Sequence, residues 1–200
     1  YDASGVAQGN EFKVNTYTTF DQYHSSVTAL SNGGFVVSWA SLQDGSGLGI
    51  YAQRYDAGGI AQSSEFKVNT YTTIDQYDAS ITALTGGGFV VTWSSTGQDN
   101  SGLGIYAQRY DVNGVAQGSE FKVNTYTTID QYDSSITTLT NNGGFVVTWT
   151  SSGQDGNGTG IYAQRYNTNG IAQGAEFKVN TFITGDQTNA SIIALNGGGF

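Results

Sequence analysis

Acidic residues recur in two short loops of this chain, and carboxylate oxygens are the chemistry that both loops offer. The first loop reads Gln-Asp-Asn-Ser-Gly over Gln98–Gly102, and the second contains Asp-Gln-Tyr-Asp, with two carboxylates three residues apart. Calcium takes six to eight oxygens from carboxylates, carbonyls and amides. The candidate calcium ligands are Asp44, Asp99 and Asp155 in the first loop, and Asp75, Asp78, Asp130 and Asp133 in the second.

The calcium hypothesis has an alternative that needs no ligand. No stretch of the chain matches the D-x-D-x-D-G pattern of a calcium loop. Aspartates in such loops also accept hydrogen bonds from turn amides, and glycines supply the positive φ that tight turns require. Calcium is therefore one candidate cofactor, and turn formation is the competing interpretation.

Tyrosines flank the second loop and suggest a different ligand. Tyr17, Tyr71 and Tyr126 precede the loop, and Tyr23, Tyr77 and Tyr132 lie within it. An exposed ring can stack on a sugar, so Tyr77 and Tyr132 are candidate contacts for a glycan. The alternative is that these rings fill gaps between packed sheets.

Catalytic residues are scarce. His24 is the one histidine, and the equivalent positions in the other repeats are Asp78, Asp133 and Asn189. A Ser-His-Asp triad needs a histidine and transition-metal sites commonly use one, so neither kind of site can recur in repeats that lack it. We therefore expect no enzyme activity.

These loops belong to a tandem repeat. Glu-Phe-Lys-Val-Asn-Thr begins at Glu11, Glu65, Glu120 and Glu176, so the period is 54, 55 and 56 residues. The added residues fall in the Thr140–Gly144 turn and in the loops after the tryptophans, where insertions are tolerated. The chain divides into repeats 1–54, 55–109 and 110–165 and a partial repeat 166–200.

Each repeat predicts four strands. In one repeat they cover Ser80–Leu84, Gly88–Trp93, Ile105–Tyr110 and Glu120–Thr125, and Phe89, Val91 and Trp93 share one face by alternation. Repeated four-stranded units of this length are typical of propeller blades. The expected fold is all-β, a β-propeller-like array of four-stranded antiparallel blades with three full repeats and a partial fourth. A β-solenoid is the competing architecture.

The blade topology places the two acidic loops on one side of the array, because the loop after the second strand and the link to the next blade emerge together. Arg54, Arg109 and Arg165 fall on the face of their apolar neighbours and need partners. Glu65, Glu120 and Glu176 are the first candidates.

Charge and composition exclude several classes of partner. The net charge is −9 with seven basic residues, so a phosphate-binding patch cannot be assembled and nucleic acid is not an expected partner. No run of residues is long and apolar enough for membrane insertion. The 26 aromatic residues, 13 Tyr, 10 Phe and 3 Trp, are sufficient for a folded core despite the 29 glycines.

The repeat resembles a known family. Phe-Lys-Val-Asn-Thr, Gly-Gly-Phe-Val-Val-Thr-Trp and Gly-Ile-Tyr-Ala-Gln-Arg-Tyr-Asp are similar to tandem repeats of very large secreted bacterial proteins, which often carry cadherin-like and haemolysin-type calcium-binding modules. The resemblance covers essentially the whole chain and implies an extracellular location and an adhesive or matrix role. The haemolysin motif G-G-x-G-x-D is absent, so its calcium chemistry is not carried over.

Together these features predict a non-enzymatic, secreted, structural or adhesive repeat module that binds Ca²⁺ and assembles with itself. The alternative is a lectin-like propeller that binds a cell-surface or matrix glycan.

Overall fold

The computed structural model describes residues 1–140 and 143–200, and their regular structure is entirely β. Three four-stranded antiparallel sheets follow one another along the chain, each a meander in sequence order. Sheet I contains β1 (Gln22–Ala29), β2 (Phe35–Ser41), β3 (Gly49–Tyr55) and β4 (Phe66–Lys67). Sheet II contains β5 (Gln76–Ala83), β6 (Phe89–Thr96), β7 (Leu103–Tyr110) and β8 (Phe121–Lys122). Sheet III contains β9 (Gln131–Thr138), β10 (Phe145–Ser152), β11 (Thr159–Tyr166) and β12 (Phe177–Lys178).

The two middle strands of sheet II are buried on both faces. In sheet II, Phe89, Val91 and Trp93 pack towards sheet I, as their alternation predicts, and Val90 packs towards sheet III. Val90 pairs with Arg109, and Trp93 pairs with Tyr106. A strand enclosed by neighbouring sheets carries apolar residues on both sides, which accounts for the Phe-Val-Val run.

The sheets pack face to face through one repeated interface. Sheet I meets sheet II through one cluster, and sheet II meets sheet III through the equivalent cluster. The first strands are neighbours, since β1 contacts β5 and β5 contacts β9. The first cluster joins Val36, Ala40, Ile50, Ala52 and Val68 to Ile81, Phe89, Val91, Trp93, Tyr106 and Tyr110.

Each first strand carries an irregularity at its middle. The register shifts between Tyr23 and Ser26 in β1 and between Tyr77 and Ser80 in β5. Asp78 lies inside this bulge at φ 54°, in the left-handed region. The bulge turns side chains of the first strands towards one another.

The fourth strands are shorter than expected. Glu120–Thr125 predicts a six-residue strand, but only Phe121–Lys122 pairs with β7. Asn124 leaves the ladder because its side-chain oxygen accepts from Ile105 N at 2.7 Å. No fourth sheet is formed by the described residues of 166–200. The expected insertion at Thr140–Gly144 falls partly on Asn141 and Asn142, outside the described residues.

Candidate functional site

The first acidic loop is stabilised by its own aspartate. Asp99 Oδ1 accepts from Ser101 N at 3.2 Å, an Asx turn of the kind that competes with the calcium interpretation. Asp99 Oδ2 is buried without a hydrogen-bond partner, and the nearest cation is Lys122 Nζ at 3.9 Å. Asp44 and Asp155 repeat this arrangement with Lys67 and Lys178.

The link between sheets contacts the first loop directly. Asp75 Oδ1 accepts from Leu48 N at 2.8 Å, and Asp130 Oδ1 accepts from Leu103 N at 2.9 Å. In both pairs the acceptor belongs to the link and the donor lies in or directly after the first loop. The prediction that the two loops share one side of the molecule is therefore confirmed for Asp75 and Asp130.

Asp78 and Asp133 occupy a different element from Asp75 and Asp130. Both lie within first strands, β5 and β9, rather than in the links, because the strands begin at Gln76 and Gln131. They line a cavity of about 380 Å³ between the first strands, together with His24 and Asn189. Asp75 and Asp130 bond the first loop, and the grouping of Asp78 and Asp133 with them as one set of ligands stays a prediction.

The cavity holds a connected set of ionisable groups. His24 Nδ1 lies 2.5 Å from Asp78 Oδ1. Burial raises the pKa of Asp78 above its ordinary value of 3.8, His24 opposes this shift, and the charge of Asp133 and a hydrogen bond with it raise the pKa further. His24, Asp78, Asp133 and Asn189 all have φ between 51° and 58°. The sequence carried a signal for this position, because Asp, Asn and His are the side-chain-bearing residues enriched at positive φ.

The described residues place no three His, Cys, Asp or Glu side chains where they could hold a metal ion together. Asp75 and Asp130 accept backbone amides, whereas Asp78 and Asp133 interact with each other. Calcium binding by these aspartates stays a prediction.

A cleft with binding chemistry lies at the boundary between repeats. Its volume is about 580 Å³, and Tyr17, Gln43, Tyr51, Gln53 and Glu65 line it with smaller neighbours. We call this the inter-repeat cleft. The corresponding residues at the next two boundaries are Tyr71, Gln98, Tyr106, Gln108 and Glu120, then Tyr126, Gln154, Tyr162, Gln164 and Glu176.

A glutamate forms the wall of each cleft and joins two repeats. Glu65 Oε2 accepts from Thr16 N at 2.8 Å and from Thr16 Oγ1 at 2.9 Å. Its other oxygen accepts from Gln43 Nε2 at 2.7 Å. Glu120 and Glu176 make the same three contacts, so the cleft wall is held in one geometry at each boundary.

The tyrosine of the cleft floor remains a neutral phenol over a wide pH range. Burial, followed by the charges of Asp44 and Glu65, raises the pKa of Tyr51 to about 12. Burial and the charge of Asp99 raise the pKa of Tyr106 to about 12 in the same way. A neutral phenol both donates and accepts, as sugar recognition requires.

Tyr77 and Tyr132 lie elsewhere. Tyr77 is half-buried and packs against the cluster between sheets I and II, and burial raises its pKa to about 12. Burial also raises the pKa of Tyr132 in β9. Their contact with a glycan stays a prediction. Tyr17 lines the inter-repeat cleft together with Tyr51, and Tyr71 and Tyr126 stand at the positions equivalent to Tyr17.

Among residues 1–140 and 143–200 the expected Arg–Glu pairs are not formed. Arg54 Nη1 donates to the carbonyl of Asn113 at 2.7 Å, and Arg109 Nη1 donates to the carbonyl of Asn169 at 2.8 Å. These carbonyls belong to the hairpin before the fourth strand of the next sheet. The prediction was wrong because the glutamates are already occupied by threonine and glutamine donors.

No family model and no curated protein matches the chain. Among solved structures, a protein of unknown function from Dyadobacter fermentans is similar at a TM-score of 0.62 and 12% identity, over 88% of this chain and 60% of that chain. A fucose lectin from Kordia zhangzhouensis in complex with methyl-fucoside matches at 0.47 and 12% identity, over 80% and 99%. An α-L-arabinofuranosidase from Lactobacillus brevis matches at 0.46 and 11% identity, over 76% and 53%.

The TM-score of 0.62 shows that this chain and the Dyadobacter protein share a fold, and this chain spans about three-fifths of the length of that protein. Among the described residues, no helix has the length and apolar character needed to cross a bilayer.

Proposed function

We propose that the chain is a non-enzymatic module that binds neutral carbohydrate at its inter-repeat clefts. The observation that carries this proposal is the cleft at the first boundary, where Tyr17 and Tyr51 lie with Gln43 and the fixed carboxylate of Glu65. The Gln–Glu hydrogen bond of this cleft recurs at the next two boundaries, where the same residue types stand at the equivalent positions. Rings that stack and paired hydrogen-bonding groups are the chemistry that sugar hydroxyls and pyranose faces require.

The electrostatics of the clefts define the class of sugar. Each cleft contains a glutamate, and the chain carries a net charge of −9. Sialylated or sulfated glycans would bring further negative charge to this surface, so neutral or amino sugars are the better ligands.

Three equivalent clefts also favour binding to surfaces over binding to single sugars. Linked sites raise the apparent affinity by about 10²–10⁴ when several engage together. An adhesive role at an extracellular surface or matrix follows from this multivalency and from the resemblance of the repeat to secreted bacterial proteins. The sheets are proposed to be blades of an open β-propeller, with the first strands at its centre.

Calcium binding and self-assembly remain secondary proposals. A calorimetric titration with Ca²⁺, combined with melting curves in EDTA, tests the first of these. Heat of binding that is lost when Asp99 is replaced by Asn would support it, and the absence of heat would contradict it.

The carbohydrate proposal is tested with immobilised neutral glycans and the 200-residue chain. Retention is expected on at least one neutral glycan surface, with weak affinity for the same sugar free in solution. Replacing Tyr17, Tyr71 and Tyr126 together by Ala is expected to abolish retention. Tyr1→Ala is the matched control, because Tyr1 is exposed and lies outside the first cleft. Failure to retain any neutral glycan, or equal loss in the control, would contradict the proposal.

A further inference from the structure

The third copy of the first acidic loop contains an Asn-Gly pair, Asn157–Gly158, where the other two copies have Ser-Gly at 46–47 and 101–102. An asparagine followed by glycine can lose its side-chain amide, because the glycine nitrogen attacks the side-chain carbonyl carbon and no Cβ hinders the approach. Asparagine is one of the thermally labile residues. The third loop therefore holds a reactive pair that the other two loops lack.

The same dipeptide occurs in two hairpins, which provide a matched comparison. Asn113–Gly114 and Asn169–Gly170 lie between the third and fourth strands of sheets II and III. In all three pairs the asparagine N donates to the side-chain oxygen of the residue two positions earlier, at 3.2 Å for Asn157, 2.8 Å for Asn113 and 3.0 Å for Asn169. All three asparagines are exposed. They therefore share one kind of turn and one degree of access to water.

The three pairs differ in the backbone amide of the glycine. Gly114 N donates to the carbonyl of Asp111 at 3.0 Å, and Gly170 N donates to the carbonyl of Asn167 at 3.0 Å. Gly158 N donates no hydrogen bond to any atom of residues 1–140 and 143–200. Because this nitrogen must give up its proton to react, a hydrogen-bonded amide is protected, whereas the amide of Gly158 is available.

Packing also holds the two hairpin pairs in place. The carbonyl of Asn113 accepts from Arg54 Nη1 at 2.7 Å. The carbonyl of Asn169 accepts from Arg109 Nη1 at 2.8 Å, and the glycine that follows each of these asparagines is half-buried. Gly158 is exposed, and no arginine among the described residues bonds to the carbonyl before it. Ring closure requires the asparagine side chain to swing towards the next nitrogen, and this movement is less restricted in the loop than in the hairpins.

We propose that the exposed glycine amide makes Asn157–Gly158 a modification site, where water converts the asparagine into aspartate and isoaspartate. Gly158 N attacks Cγ of Asn157, so the N–Cγ bond forms and the Cγ–Nδ2 bond breaks. The amide proton passes through water to the leaving nitrogen, which departs as ammonia and leaves a cyclic succinimide. Water then opens the ring at either carbonyl, which gives aspartate or isoaspartate. One water is consumed, one ammonia is released, and nothing is oxidised or reduced.

The product adds negative charge to the loop. The third loop then holds Asp155 and a carboxylate at position 157, whereas the loops of Asp44 and Asp99 hold one carboxylate each. In isoaspartate the chain runs through the side-chain carbon, which lengthens the backbone just before β11 begins at Thr159. The reaction needs only water, so this inference does not depend on carbohydrate binding.

Timed incubation of the 200-residue chain tests the proposal. The folded protein is kept in mildly alkaline buffer, and peptide mapping by mass spectrometry follows the replacement of amide by carboxyl at each asparagine. Asn157 is expected to convert at least about tenfold faster than Asn113 and Asn169, because the amide after each of those must first break a hydrogen bond. An isoaspartate-specific methyltransferase should label peptides that contain position 157.

Denaturant provides the control for the role of the fold. In concentrated urea the three pairs keep their glycines but lose their hydrogen bonds, so their rates should become similar. Asn157→Ser introduces the residue found in the other two loops and should remove the earliest acidic species on isoelectric focusing. Because Asn157 is exposed, circular dichroism should show intact sheets in this variant.

Equal rates at the three pairs in the folded protein would overturn the proposal, as would faster conversion at Asn113 or Asn169. A rate difference that persists unchanged in urea would also overturn it, because the residue before each asparagine, and not the amide of Gly158, would then set the rate.

Discussion

Replacing Glu120 by Ala should reveal how strongly the repeats are joined. Its carboxylate accepts from Thr70 N at 2.7 Å, from Thr70 Oγ1 at 3.0 Å and from Gln98 Nε2 at 2.5 Å. Hydrogen bonds to charged groups contribute about 1.5–3 kcal/mol each when they are shielded from water. Thr70 is exposed, so water replaces much of what its two donors lose, and Gln98 is half-buried.

We therefore expect Glu120→Ala to lower the free energy of unfolding by about 2 kcal/mol in total. For a chain of this size that loss corresponds to about 4–8 °C in melting temperature. Urea denaturation followed by tryptophan fluorescence measures it, since Trp93 and Trp149 are fully buried.

The chain provides its own control for this experiment. Glu11 occupies the same position in its repeat motif but is exposed and makes no hydrogen bond among the described residues. Glu11→Ala should change the free energy of unfolding by less than about 0.5 kcal/mol. If the two variants are destabilised equally, the cleft glutamates do not join the repeats in the way described.

Three further predictions concern arginine, aspartate and tyrosine. Arg109→Ala should lower the free energy of unfolding by about 1–2 kcal/mol in thermal melts, because its hydrogen bond to the carbonyl of Asn169 is lost. Arg165 is the exposed equivalent, so Arg165→Ala should have almost no effect. Equal destabilisation of the two variants would contradict the role of Arg109. The pKa of Asp78 is raised in the folded protein, so the folded state binds the proton of this carboxyl more tightly than the unfolded state does. The stability that protonated Asp78 contributes is therefore complete below pH 3.8 and is lost as the pH rises through the pKa of the folded state. Asp78→Asn should therefore be more stable than the parent protein at pH 7 and equally stable near pH 3, and an unchanged pH profile in denaturant titrations would refute this. Burial raises the pKa values of Tyr77 and Tyr106 to about 12, so the stability that their neutral forms contribute below pH 10 should be lost as the pH rises through 12. Ultraviolet absorbance should show these two tyrosines ionising near pH 12. Ionisation of all tyrosines near pH 10 would contradict their burial.

Much of the fold could be read from the periodicity of the chain. The alternation of Phe89, Val91 and Trp93 predicted one shared face, and this was confirmed by their packing on sheet I. The fourth strand was overestimated because Asn124 satisfies a neighbouring backbone amide instead of continuing the ladder. Side-chain hydrogen bonds of this kind compete with strand pairing but leave no mark in a hydrophobic pattern.

The candidate site was only partly predictable. The repeats indicated that the two acidic loops lie together, and the hydrogen bond from Leu48 to Asp75 confirms it. Asp78 lies at a bulge of β5, and the spacing of residues in the sequence does not show where a strand bulges. The hydrogen-bond partners of Arg109 and Glu120 lie about one repeat away in the sequence. At that distance the sequence does not indicate whether an arginine bonds to a backbone carbonyl or to a carboxylate.

The sequence by itself determined the all-β class, the number of complete four-stranded units and the order of their strands, because hydrophobic alternation and turn residues act locally. Only the tertiary structure decided which groups face each other across the repeats. It brought His24, Asp78 and Asp133 to one cavity and formed the cleft between Tyr17 and Glu65. These arrangements depend on how one sheet stacks on the next, and identical local sequences are buried or exposed according to the neighbour they meet.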